Sequence, residues 1–378
     1  MKKIHVYQNL ESLPDSYQQV FDIAHQTGSF FSSFAWFDNL IRNVLSINHS
    51  ICLYGLEDDL DGKAYALMPM CFVTSEQHWY RPRKLIAASN YYTSFFSPIQ
   101  ANSAPYAQEN INLLVRAIVN ETPQWDSIDL QPMAIGSDQF GSIERAFRQS
   151  GAYIQTYFCF GNWYLKVAGR TFQEYFNSVP SRVRNTIARK AKLLERSDGL
   201  HIKLVQSEDE WSTAIADFEQ VYQASWKLPE AHPLFIAGLM RTCAQQGWLR
   251  LGIAYVGDQP VAAQIWIVHQ QVASIYKLAY NEKFAKFSIG SILTSRMMEY
   301  VIDIDHVEEV DYLTGDDDYK QDWMSHRRER WGCIAFNQRT LKGTLSACWH
   351  LGGRGLKKRM MVFIVVIKKL IGNGARGK

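Results

Sequence analysis

The 378 residues are 47% hydrophobic, 13% aromatic and 20% charged, a composition that can bury a large core and excludes a disordered tail or a collagen-like rod. Forty Lys and Arg against 37 Asp and Glu leave a net +3, too small a bias to attract nucleic acid by field alone. That bias is concentrated. Leu341 to Lys378 carries nine Lys or Arg and no acid, which leaves 31 against 37, or −6, in the rest of the chain.

At about 150 residues per domain the length predicts two domains, divided here as 1–165 and 166–340, with 341–378 as a basic C-terminal tail. Six cysteines without a CxxC read as reduced thiols and exclude a disulfide scaffold. The start, MKKIHVYQNL, alternates polar and apolar residues where a secretory signal needs a continuous apolar segment. Met360 to Ile367, the longest apolar run, falls well short of the ~20 residues that span a bilayer. A cytoplasmic body is expected.

In chain order the pattern predicts an extended start at Ile4 to Tyr7, a helix near Trp36 to Val44, and strands at Ile51 to Leu56 and Ala64 to Val73. The acidic Asp58 to Gly62 turn between those strands is a hairpin signal. An aromatic-rich loop at Asn90 to Pro98 precedes a helix near Gln108 to Val119 and a strand near Ser127 to Leu130. A break is expected at Asn162 to Gly169. After it, Ser181 reads as the cap of a helix whose stripe is Val183, Ile187, Lys190 or Ala191, and Leu194, with Arg182, Arg189, Lys192 and Arg196 outward. Helices near Glu208 to Ser225 and Leu234 to Gln246 lead to strands Leu249 to Tyr255, Val261 to Val268 and Val272 to Tyr280. A helix from Ser288 to Asp303, strand Glu309 to Leu313, a short helix at Tyr319 to Ser325 and strand Cys333 to Phe336 close the pattern.

Lys286-Phe287-Ser288-Ile289-Gly290-Ser291 joins a strand to a helix. Small residues there let a backbone approach an anion, and the first-turn N–H groups with the helix dipole can hold a pyrophosphate; the same residues also serve as a plain cap. Asp316, Asp317 and Asp318 are consecutive, so their side chains point apart and read as a polar turn rather than a metal loop. Tyr319 and Trp323, spaced i and i+4, suit helix packing. The ten histidines form no HExxH or zinc spacing, and neither GxSxG nor GxxxxGK[ST] occurs. No metal is expected. In the tail, Leu356 to Arg359 and Lys368-Lys369 flank the apolar block, which suits either contact with an anionic membrane face or a final element packed on the body.

The order hairpin, strand, small-residue loop, helix, strand from Leu249 to Leu313 is similar to the GNAT acetyltransferase fold. In that family a loop of the type Arg/Gln-x-x-Gly-x-Gly/Ala binds the pyrophosphate of acyl-CoA; here it falls on Ala285 to Gly290, with Ala285 and Ser288 at the first two signature positions and Gly290 kept. Tyr222 to Lys227, Phe287 to Ser291 and Asp311 to Trp323 resemble three signature stretches of the CelD-like GNAT group, which has a FemAB-like two-domain architecture. Phe34 to Phe37, Ala66 to Met70 and the basic helix Arg182 to Leu194 resemble its first half.

The resemblance implies an α/β fold of two GNAT-like (acyl-CoA N-acyltransferase) domains with mixed sheets flanked by helices, the first of them degenerate. It implies acetyl-CoA as co-substrate, and N- or O-acyl transfer to a cell-envelope sugar or polysaccharide precursor. Ser288, Gly290, Ser291 and Lys286 would hold the pyrophosphate and the strand ending at Tyr280 the pantetheine arm. Asp316 or Glu230 would be the base and Tyr319 the proton donor to the thiolate. Ser225, Trp226, Lys227 and Lys320 would face the acceptor, and Arg184 and Lys190 an anionic acceptor or CoA phosphate. The competing readings are a FemAB-like transfer from aminoacyl-tRNA, weakened by the −6 outside the tail, and a non-catalytic GNAT-like scaffold.

Overall fold

The computed structural model describes residues 2–73, 81–100, 106–122, 125–197, 199–205 and 210–352. In chain order they form β1 (Lys2–Tyr7), α1 (Ser16–Thr27), α2 (Phe34–Asn43), β2 (His49–Asp58), β3 (Ala64–Val73), β4 (Lys84–Ala87), β5 (Ile99–Gln100), α3 (Ala107–Asn120), β6 (Ser127–Ala134) and α4 (Asp138–Gln149). There follow β7 (Tyr153–Lys166), α5 (Phe172–Ser178), α6 (Ser181–Ser197), β8 (Leu200–Val205), α7 (Trp211–Gln223), α8 (Pro233–Gln245), β9 (Leu249–Val256), β10 (Gln259–His269) and β11 (Val272–Tyr280). The last are α9 (Ile289–Asp303), β12 (Glu309–Asp311), β13 (His326–Phe336) and α10 (Leu341–Leu351).

The chain divides into two compact units that are discontinuous in sequence. The first takes Met1–Ala24, Leu45–Cys159 and the chain from Trp331; the second takes His25–Val44 and Phe160–Arg330. The contiguous boundaries 1–165 and 166–340 differ from these units at α2, at Phe160 to Leu165 of β7 and from Trp331 on, because periodicity identifies a strand without naming its partners. The expected break at Asn162 to Gly169 starts too early: β7 runs on to Lys166, and the chain turns after it through the left-handed Ala168 and Gly169. Part of the segment expected as a basic tail is helix α10, begun by the Thr340 hydroxyl accepting from the Gly343 N–H. The apolar block and its basic flanks from Leu356 lie outside the described residues.

In the first unit β1, β2, β3 and β4 run antiparallel in order, β4 pairs in parallel with β6, and β13 follows. Its parallel pair is joined through α3, and α3 packs with α4. Leu114, Val115, Ile118, Ile143 and Phe147 from those helices bury against Leu85, Ile128 and Leu130.

In the second unit the order is β7, β12, β11, β10, β9, β8, antiparallel except for β11 and β12, which are parallel and joined through α9. Both faces of β10 are buried, as expected where helices cover a sheet on two sides. Ala262 and Trp266 pack with Ile289, Leu293 and Met297 of α9. Helix α6 lies on α9 through Val183, Ile187, Ala191 and Leu194, the stripe read from sequence, and leaves Arg182, Arg189, Lys192 and Arg196 exposed. Ser181 is the first helical residue rather than the cap, since the Pro180 carbonyl accepts from Val183 N–H. The fold class is α/β, with strands of mixed direction, all of one large sheet, flanked by helices.

Candidate functional site

The site is built where β11 and β12 part. They pair over three residues only, ending at Ser274 opposite Asp311, while β11 continues to Tyr280. The departure of the β12 chain is fixed by Asp311, which is 4% exposed. One carboxylate oxygen accepts from the Leu313 N–H at 2.6 Å and from the Asn162 amide, and the other from Arg328. Leu313 turns with φ 54° and Gly315 with φ 108°. Arg328 also reaches Glu309 at 2.6 Å, so the buried Asp311 and the half-buried Glu309 share one half-buried cation.

Helix α9 begins beside the open stretch of β11. Ser288 sits in the left-handed region (φ 53°) and its side chain does not cap the first turn, so the dipole at the helix start is met by no side chain of its own cap residue. Gln264 from β10 donates to the Gly290 carbonyl at 3.1 Å and to Thr294 at 2.8 Å, fixing the helix on the sheet. A side chain at position 290 would place its Cβ 3.1 Å from the Tyr280 ring; glycine permits that approach.

From Tyr280 the contacts run in two directions. Trp226 lies against Tyr280 with ring centres 4.5 Å apart. The Lys227 ammonium lies 5.6 Å from the Trp226 ring and 5.8 Å from that of Tyr222, and the Lys277 ammonium 5.2 Å from Tyr222. Lys277 is ion-paired with Glu230, both half-buried. Burial, followed by the like charge of Lys277, brings the Lys227 pKa down to about 8. Burial also lowers that of Lys277, against the pull of Glu230.

On the other side Tyr319 stands edge-on to the buried Tyr312 at 5.8 Å. Burial first, then the Asp317 charge, pushes its phenol up to about 12. Lys320, only 4% exposed, donates to the Thr314 carbonyl at 2.6 Å and the Gly315 carbonyl at 3.2 Å, pairs with Asp317 at 3.1 Å and lies over Tyr312. The structure thus brings together Gly290, Tyr280, Trp226, Lys227, Glu230, Tyr319 and Lys320.

Other expected residues have different surroundings. Asp316 binds Arg327 and Trp163, and the Arg327 guanidinium holds its carboxyl below the usual range. Ser225 donates to the Tyr222 carbonyl at 2.6 Å and accepts from the Lys227 N–H, ending α7. Lys286 is exposed beside the Phe287 ring. Arg184 spends its Nε on the Val179 carbonyl at 2.9 Å, and Lys190 is half-buried on α6. Ser291 is half-buried in the first turn of α9.

Lys277 escaped the sequence reading, although a lysine within the otherwise apolar stretch Ile275 to Tyr280 was a usable signal. A cleft of about 610 Å³ lies elsewhere in this unit, at the Val272 end of β11, lined by Lys166 to Arg170 and His306 to Glu309; it contains none of the expected residues.

Residues 181–321 match the family model described as an acetyltransferase (GNAT) domain. Among solved structures, FemX aligns with a TM-score of 0.59 at 10% identity, over 92% of this chain and 99% of its own. The C-terminal domain assigned to a lysylphosphatidylglycerol synthetase of Agrobacterium fabrum gives 0.53 at 12%, over 89% and 96%. A tandem GNAT protein from the clavulanic acid biosynthesis pathway gives 0.51 at 9%, over 88% and 98%. No curated protein sequence matches the chain.

Proposed function

We propose that this GNAT-superfamily protein, with its FemAB-like two-domain fold, moves an acyl group from acyl-CoA, acetyl-CoA in the simplest case, to an amine or hydroxyl of a cell-envelope sugar or polysaccharide precursor. The observation that carries the proposal is the start of α9, without a side-chain cap, beside the stretch of β11 that β12 has left. Backbone N–H groups and a positive helix end suit a pyrophosphate. Beyond Ser274, the β12-facing backbone groups of β11 suit the amides of a pantetheine arm running back from Tyr280.

In this arrangement the thioester comes to lie toward Lys277, with the acceptor entering past Trp226, which is 48% exposed. Glu230 takes the acceptor proton through water while Lys277 steadies its charge. Tyr319, a phenol that is protonated at neutral pH, gives a proton to the departing thiolate. Asp316 is left as a structural anion, since its oxygens are occupied by Arg327 and Trp163.

Calorimetric titration with acetyl-CoA, wild type beside Ser291→Asp, tests the donor site. An acid in the first turn suits the helix dipole and lets the variant fold, but its charge repels a pyrophosphate. Binding by wild type that is lost in the variant supports the reading; no binding by wild type overturns it.

A second reading, aminoacyl transfer from charged tRNA in the FemAB manner, is favoured by the likeness to FemX and to the lysylphosphatidylglycerol synthetase domain. Filter binding of aminoacyl-tRNA at low and raised salt separates the two, and binding of neither donor leaves the scaffold.

A further inference from the structure

Three lysines meet in the cluster, and two have their charge answered. Glu230 engages Lys277, while two backbone carbonyls and Asp317 engage Lys320. Lys227 differs. Among the described residues its ammonium has neither an ion pair nor a hydrogen bond, only the faces of Trp226 and Tyr222. A half-buried lysine ordinarily finds a carboxylate, and here the two nearby ones are taken, Glu230 by Lys277 and Asp317 by Lys320. The position also bears on the chemistry: Trp226 next to it in sequence lies against Tyr280, and Tyr280 against Gly290 at the start of α9.

We propose that Lys227 is a self-acylation site, its amine taking the acyl group from the protein's own acyl-CoA; this rests on the donor reading above. The Nζ lone pair attacks the thioester carbonyl, an N–C bond forms, the C–S bond breaks, and CoA leaves as the thiol with the proton that the nitrogen gives up. The product is a neutral amide that ends the repulsion between Lys227 and Lys277 and fills the space beside Glu230, so acylated protein is blocked on the acceptor side. The depressed pKa supports this chemistry. At pH 8 a far larger share of Lys227 is free amine than of an ordinary lysine, which titrates near 10.4.

The test is full-length protein incubated with acetyl-CoA at pH 8.5, followed by intact mass and peptide mapping, beside Lys227→Arg and Ser291→Asp. Melting temperatures establish that both variants are folded. The expected result is one acetyl group on Lys227, added at least tenfold faster than on the exposed Lys286, absent from Lys227→Arg and slowed in Ser291→Asp. An even spread of acetyl groups over the lysines overturns the proposal. Calorimetric binding of acetyl-CoA without labelling of Lys227 overturns it and leaves the transferase reading standing. Absence of binding overturns both.

Discussion

Asp316 grips Arg327 with both carboxylate oxygens, which accept from Nε and Nη2 at 2.6 to 3.2 Å, and the same carboxylate takes the Trp163 indole N–H at 2.8 Å. Gly161 makes room for the pair: a Cβ there would stand 2.5 Å from the Asp316 carboxylate and 2.6 Å from the guanidinium. A strand-end acid that reads as a base is thus committed to holding its own loop.

Asp316→Asn tests that commitment. The pair is partly exposed, so solvent screening limits the loss to about 1 kcal/mol or less. The folded carboxyl titrates below its ordinary value, so its stabilisation is present above the unfolded pKa of about 3.9 and is lost as pH falls through the lower folded one. Melting temperatures from pH 7 to 3 should show wild type above the variant at pH 7 and the gap closing below about pH 4.

Lys227→Met should raise stability at pH 7, since it removes a half-buried charge. The folded amine titrates near 8 and the unfolded one near 10.4, so between those values the unfolded state holds more protons and wild type gains stability as pH rises. The advantage of the variant should therefore shrink from pH 8 to 10. Chemical denaturation at pH 7, 9 and 10 measures it; an advantage independent of pH would argue against a depressed lysine.

Tyr319→Phe removes the proposed proton donor and leaves the donor cradle intact. Release of CoA thiol, followed with glucosamine as acceptor probe, should slow about 100-fold, with acetyl-CoA affinity by calorimetry unchanged. A parallel loss of affinity would make the phenol a binding group instead.

Asp311→Ala leaves Arg328 without one of its buried partners and the left-handed Leu313 without the carboxylate that takes its N–H. Breaking a fully buried pair from one side costs about 3–5 kcal/mol; here Arg328 is half-buried and keeps Glu309, so the loss is smaller, about 2 kcal/mol. The loss should appear as a lower denaturation midpoint with an unchanged slope.

Much of the second unit was legible locally. The alternation of β9, β10 and β11, the small residues before α9 and the apolar stripe of α6 are short-range patterns, and the elements they imply formed within a few residues of the expected bounds. Where reading failed, a long-range partner had changed the meaning of a residue. Asn162 fell in the expected break, yet it lies within β7, where a buried polar residue is costly unless it is satisfied. It is buried at the end of β7 because Asp311, Leu313 and Arg328 satisfy its amide.

The sequence by itself determined β1 to β3, α2, α3, β6, α6 to α9, β9 to β12, their order and the junction at Ser288 to Ser291, because strand and helix periods and helix ends are set by neighbours within a turn or two. Only the tertiary structure decided that α2 joins the second unit, that Asp316 is tied to Arg327, and that Glu230 answers Lys277 from 47 positions away while Lys227 is left to its aromatic neighbours. Those outcomes depend on strand register and on which charges burial brings together, and the Coulomb and desolvation energies that follow depend on distances in space, which spacing along the chain does not contain.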